Sequence, residues 1–286
     1  MFGVQDMLAG WAIDPIPTAG IGLAAIGYVS AVRRLRGAGR SWPVRRNVAV
    51  GAGLLALVIA LDGPPDTLAD TSFAVHMGQH LLIQQVAAPL LLLAAPITLV
   101  LRADPAWLRR RILVRILRSR AIYLLSRPPV AFMCFAVTLI ASHLTGFYEL
   151  ALRNENVHAL EHVAYLATAL LFWYPAVGVD PGPARPEHVA RLLYLLLIMP
   201  VMAFLGLAIA STGRVLYSYY AANPPPWGAT PLQDQHLAGT LMWVSGMITI
   251  PPLVVVVLMR WLDQDEKKMT RRQPVAPMPR PAADNR

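Results

Sequence analysis

The chain has 286 residues, of which 56% are hydrophobic and 14% charged, and its mean hydropathy is +0.49. A soluble domain of this length carries more charge, and here the apolar residues fall in long blocks divided by short charged segments, as membrane spans do. The net charge of +9 is held in a few Lys and Arg clusters beside those blocks, which argues against a nucleic-acid surface and for topology determinants facing anionic lipid.

The pattern predicts an all-α, polytopic membrane helix bundle with about seven transmembrane helices. Residues 1–30 contain Asp6 and Asp14 but no Lys or Arg, so no signal peptide is expected and the first span should stay in the mature protein. Span one is expected over 18–32, stopping at Arg33 and Arg34, and span two over 47–61, ended by Gly63-Pro64-Pro65. Span three runs over 72–101, with Asp70, Thr71 and Ser72 as N-cap candidates. Pro89 and Pro96 lie inside it and should kink it or end it early.

The next segment, 102–127, holds eight arginines and one Asp, with Trp107, Leu108, Ile112, Ile116 and Leu117 at near-helical spacing. It reads equally as an amphipathic helix on the inner membrane surface or as a basic loop that fixes topology. Span four follows over 129–144. Span five covers 156–175, with Asn154 or Asn156 as its cap, and span six covers 189–210. Span seven covers 236–261 and is interrupted by Pro251-Pro252. The bundle therefore occupies 1–262, and the polar, proline-rich stretch 263–286 is expected to be a disordered cytoplasmic tail. No internal repeat is visible.

Loop charge sets the sides. Residues 33–46 contain six arginines and no acid, 63–72 contain Asp66 and Asp70 and no base, and the 102–127 segment is strongly basic. The positive-inside rule then puts the N-terminus outside and the C-terminus in the cytoplasm, which requires an odd number of spans. On that topology His76, His80, His143, His158, His162 and His236 lie toward the outer face, and His188 lies on the inner side.

His76-Met-Gly-Gln-His80 and His158-Ala-Leu-Glu-His162 are both His-x-x-x-His pairs. On a helix such residues project from one face, one turn apart, and can hold one metal ion together. With His143 they make five candidate imidazole ligands, a donor type that suits copper, zinc, iron and nickel. Glu161, His236 and Met242 are secondary candidates: a carboxylate beside His162, an imidazole at the start of span seven, and a soft thioether in its outer half. Buried packing is the commoner role for methionine, and Met199 and Met202 read that way. Gln84 continues the His76/His80 face one turn deeper, whereas Gln79 and Gln85 are expected to bond across helices. The single cysteine, Cys134, lies in an apolar run and reads as a packing residue.

Several runs resemble the multi-span CtaG-type cytochrome c oxidase assembly factors. They are His76-Met77-Gly78-Gln79-His80-Leu81-Leu82 with Ala88-Pro89-Leu90-Leu91 and Ala95-Pro96, and Tyr148-Glu149-Leu150-Ala151-Leu152 with His158-Ala159-Leu160-Glu161-His162. Leu171-Phe172-Trp173-Tyr174-Pro175, Arg191-Leu192-Leu193-Tyr194 with Met199-Pro200, and Asp234-Gln235 with Ala238-Gly239 and Met242-Trp243 extend the likeness over residues 60–262. His236 stands where many members carry Gln, and Ser245 where Pro is frequent. A single-span copper chaperone that shares the family's name in some bacteria is a different protein, whose cysteines this chain lacks.

The resemblance implies a non-enzymatic role in maturing a haem-copper oxidase in a bacterial plasma membrane. The partners would then be an oxidase subunit and membrane lipids, and the cargo a copper ion held by His76, His80, His143, His158 and His162. Two other classes remain open on the residues: a haem-binding electron-transfer protein, or a metal transporter, which would need polar groups through the inner half as well. A metal hydrolase is disfavoured, since no general base is placed against a ligand pair.

Overall fold

The computed structural model describes residues 10–103, 114–177, 179–181 and 186–272. Among the described residues the regular structure is helical throughout, with no strand, as the apolar blocks predict. Helix α1 spans Pro15–Gly37 and α2 spans Val44–Leu61. Asp14 caps α1 by accepting from the Ile16 amide at 2.9 Å, and Pro15 occupies the first helical position, where a missing N–H costs nothing. Asp62, at the end of α2, accepts from the Asp14 amide at 3.1 Å and from the Thr18 hydroxyl at 2.7 Å. This carboxylate pins the start of α1 to the end of α2. A short helix α3, Pro64–Ala69, completes the turn.

The third expected span is built in pieces: α4 over Phe73–Leu81, a π-helical turn over Leu82–Ala87, α5 over Ala88–Leu93 and α6 over Pro96–Ala103. Pro89 explains the π turn. The Ala88 amide already bonds the carbonyl five residues back, at Ile83, and in that register Pro89 would bond Gln84. Proline has no N–H, so the Gln84 carbonyl is orphaned inside the bundle. The indole Nε1–H of Trp173 supplies the missing donor at 2.7 Å. The break between α5 and α6 falls at Ala95, whose φ of 53° is strained for a residue with a Cβ, directly before Pro96. Asp180 caps α6 by accepting from the Ile97 and Thr98 amides at 3.1 and 2.7 Å.

Val114–Leu117 (α7) and Arg120–Leu125 (α8) are short helices at the end of the basic segment, and its centre, 104–113, lies outside the described residues. Helix α9, Pro128–Ser142, is followed by α10, Thr145–Arg153, and the two are bent by 76°. Helix α11 runs over Glu155–Val177 and α12 over His188–Ser211. The short α13, Ser218–Ala222, precedes α14, Pro231–Arg272. Helix α14 continues ten residues past the bundle boundary expected at residue 262, so the first part of the expected disordered tail is helical. The rest of that tail, 273–286, lies outside the described residues.

All seven expected spans coincide with helices, yet the count of seven is not reached by length and apolarity. Among the described residues five helical stretches meet both conditions, or six if the bent α9–α10 pair is one span. The segment outside the count is α11, which is 23 residues long but carries Glu155, His158, Glu161 and His162 in its first turns.

The core runs along α11, which packs α9 on one side and α5 with the π turn on the other. Helices α12 and α14 form the tightest pair. A Cβ built on Gly206 would lie 2.6 Å from the Gly239 carbonyl oxygen, and one on Gly239 would lie 2.6 Å from the Ala210 amide nitrogen. Both obstacles are backbone, so neither can swing aside. Small residues let membrane helices approach this closely, and dispersion and backbone contact then hold them. Gly206→Ala is accordingly expected to cost about 1–3 kcal/mol by overpacking, read as a lower unfolding midpoint in detergent.

Candidate metal centre

Two helix caps set the position of the histidines. Ser72 caps α4, its hydroxyl oxygen accepting from the Val75 amide at 3.1 Å while its proton goes to Asp234 at 2.8 Å. The second Asp234 oxygen accepts from the Ala74 amide at 3.3 Å. The first turn of α14 therefore anchors the start of α4. Asn154 caps α11 by accepting from the Asn156 and Val157 amides at 3.0 and 3.2 Å. His76 and His80 come one and two turns beyond the first cap, and His158 and His162 one and two turns beyond the second. Both helices thus present imidazoles at matching depth, and the two pairs meet.

The ligand atoms of His76, His80, His158 and His162 all lie within 4.8 Å of one another. His76 Nε2 stands 3.0 Å from His80 Nε2 and 3.2 Å from His158 Nε2. The rings of His80 and His162 meet edge to face with centroids 5.3 Å apart. His76 and His80 are sealed from solvent, at 0% and 1% exposure, and the α11 pair is partly buried. Four nitrogens bound tetrahedrally at about 2.0–2.1 Å lie about 3.4 Å apart. The shorter separations already match that spacing, and the longest needs about 1.4 Å of closure. His162 Nε2 is buried with no hydrogen-bond partner, the condition a bound ion would relieve.

The other sequence candidates are placed as follows. His143 is not in the group of four. It ends α9 with Nδ1 2.7 Å from the Leu139 carbonyl, which only accepts, so this nitrogen carries the proton. Its Nε2 is buried and unpartnered, and its ring stacks on Tyr148 at 5.9 Å. Glu161 is 2% exposed with both carboxylate oxygens lacking a partner, an expensive arrangement for a charge. His236 Nε2 lies 3.1 Å from the Thr212 carbonyl, tying α14 to the end of α12, and His236 is not in the group of four. Met242 is fully buried in the core.

Among the glutamines, Gln79 bonds the Ala60 carbonyl at 2.9 Å and Asp66 at 2.8 Å. The Gln85 amide nitrogen donates to Ser245 at 2.9 Å and lies 3.8 Å from the Met202 sulfur, and its oxygen accepts from Thr249. Both are the cross-helix links expected of them. Gln84 keeps its side-chain oxygen buried and unpartnered one turn below His80.

Sequence reasoning missed the aromatic wall. Tyr220, from α13, reaches His76 Nδ1 at 2.8 Å and the Ala69 carbonyl at 2.9 Å. Tyr165 packs on His80 at 4.5 Å between ring centroids and hydrogen-bonds Ser142. Tyr148 lies 5.4 Å from His76 and 4.3 Å from Tyr217. Burial, with the Asp234 and Asp70 carboxylates adding to it, pushes the Tyr220 phenol well above its ordinary range, so it stays protonated. Burial likewise raises the Asp70 carboxyl at the start of α4, and the Glu155 charge at the start of α11 adds to the shift. The sequence signals for this wall were Tyr148, at the head of one of the family runs, and the Tyr217-Ser-Tyr-Tyr220 run.

Comparison with known proteins supplies the family. Three curated relatives are similar to this chain, each described as an uncharacterized protein. The Mycobacterium leprae protein is 30% identical over 270 residues, covering 91% of this chain and 41% of its own length. Those of Mycobacterium bovis and Mycobacterium tuberculosis are each 30% identical over 275 residues, covering 94% of this chain and 42% of their own length. The chain therefore spans about two fifths of the length of these relatives. No solved structure matches it. Residues 26–264 match the profile described as "Cytochrome c oxidase caa3 assembly factor (Caa3_CtaG)", and the chain belongs to that family.

Proposed function

We propose that this protein is a non-catalytic membrane assembly factor that holds a copper ion on the four imidazoles of His76, His80, His158 and His162 for delivery to a haem-copper oxidase subunit. The observation that carries this reading is the convergence of two His-x-x-x-His pairs, from two helices, on one buried point. The donor set favours Cu(I) over a divalent ion. All four ligands are neutral, and the cost of burying an ion rises with the square of its charge. A monovalent ion thus costs about a quarter of what a divalent ion would. Imidazole is an accepted copper ligand, and no thiolate belongs to the set.

His143 is assigned here to the wall of the site rather than to the ligands. Haem is disfavoured, since His76 and His158 approach to 3.2 Å through their Nε2 atoms, which leaves no room for a macrocycle between axial ligands. Transport through the bundle is disfavoured because Gln85 uses both ends of its amide to tie helices together. On the charge asymmetry of the loops, the site faces the extracytoplasmic side of a bacterial plasma membrane.

The cellular test is complementation. Deleting the gene is expected to lower oxidase activity and oxidase-bound copper while the oxidase subunits are still made. The wild-type gene restores both, and a His76→Ala/His80→Ala variant, expressed at equal level, restores neither. Unchanged oxidase copper in the deletion strain overturns the proposal.

A further inference from the structure

We propose that Tyr220 is a positioning residue that locks His76 in the tautomer with its proton on Nδ1, leaving the Nε2 lone pair aimed at the metal point. This inference rests on the copper reading above and adds to it the group that prepares the site for its ion.

A count of hydrogens carries it. The Tyr220 hydroxyl has one proton and lies 2.9 Å from the Ala69 carbonyl and 2.8 Å from His76 Nδ1, and the Tyr148 hydroxyl beside it donates to the same phenol oxygen without using that proton. A carbonyl only accepts. The phenol proton therefore goes to Ala69, and the phenol oxygen accepts from His76 Nδ1–H. A neutral imidazole has one N–H, so Nε2 is left with its lone pair. That nitrogen faces His80 Nε2 at 3.0 Å and His158 Nε2 at 3.2 Å.

The location supports the role. Tyr220 is 3% exposed, His76 is 0% exposed, and Ala69 is 1% exposed, so no water competes for either bond. Phe73 stacks on the Tyr220 ring at 5.5 Å and holds it in place. The short helix α13 thereby reaches across 144 residues of sequence to orient one ligand. Metal-bound histidines characteristically donate their second N–H to such an acceptor, which fixes ring and tautomer.

The test uses full-length protein in detergent, with ¹⁵N-labelled histidine. In metal-free wild type, the His76 resonances, assigned by their loss in His76→Ala, are expected to show a protonated Nδ1 and a bare Nε2. Tyr220→Phe is expected to shift His76 toward the other tautomer and to weaken Cu(I) binding, measured against a chromogenic chelator, by about 10–100-fold. In a His76→Ala background the same substitution is expected to change Cu(I) affinity no further, because its effect passes through His76.

Three results overturn the assignment: a protonated Nε2 in wild type, an unchanged affinity in Tyr220→Phe, or an equal loss with His76 already removed. Should Tyr220→Phe fail to fold, the wild-type ¹⁵N pattern decides. Wild-type protein with no Cu(I) affinity overturns the copper reading instead, and the His76 tautomer still decides the role of Tyr220.

Discussion

Purified His76→Ala/His80→Ala protein is expected to lose Cu(I) affinity by more than about 100-fold, which is about 2.7 kcal/mol. The figure exceeds what removing a supporting residue costs, because two of the four converging nitrogens go at once. The α11 pair that remains, His158 and His162, has ring centroids 4.3 Å apart. It can offer two donors on one side of an ion and nothing opposite. Wild-type protein at a free Cu(I) level 100 times its dissociation constant should gain about 2.7 kcal/mol of stability by mass action. Its unfolding midpoint in detergent should rise with copper, and that of the double variant should not. His236→Ala is the control, since that imidazole bonds the Thr212 carbonyl and is not one of the four, and it should bind as wild type. Equal metal content in wild type and the double variant would show that these nitrogens are not the ligands.

The second large effect lies at Trp173, where Trp173→Ala is expected to cost about 3 kcal/mol or more. In a bilayer the unfolded helices are already in an apolar medium, so the transfer term is small. The cavity remains, because the ring is 2% exposed and packs against Phe172 at 5.1 Å between centroids. The lost donor adds to it by leaving the Gln84 carbonyl unsatisfied in the π turn. Trp173→Phe separates the terms: it keeps most of the ring volume and should cost about 1–3 kcal/mol, the penalty of one orphaned acceptor. Thermal unfolding of the two variants in the same detergent measures both. A negligible loss in Trp173→Phe beside a large one in Trp173→Ala would mean that the carbonyl has found another donor.

The histidine pairs were legible in the sequence because four-residue spacing is the helix's own period, and any helix through His76 and His80 must put them on one face. The meeting of the two pairs was legible only as a suggestion. It depends on Ser72 and Asn154 starting α4 and α11 at matching depth, and on Asp234 fixing the first of those starts from the far end of the chain. Tyr220 could not be found from periodicity, because it sits on a five-residue helix with no pattern to read. The π turn was foreshadowed by Pro89, but proline predicts a fault in the ladder and not which register repairs it. Length and apolarity alone do not confirm the count of seven, for a physical reason: the polar residues that build the centre lower the apolarity of the helix that carries them. His143 was grouped with the ligands by its side of the membrane, and a shared side is a weaker constraint than a shared face.

The π turn also solves a phasing problem. Each residue of an α-helix advances the azimuth by about 100°, so one surplus residue re-aims everything below it by about that angle. Above the wide turn, α4 shows its imidazoles to α11, and below it Leu91 nestles against Gly53 of α2. A straight rod of the same composition could satisfy only one of those neighbours. Excising a single residue from 82–87 would make the ladder regular and leave the chain with two correct halves that no longer agree on which way is inward.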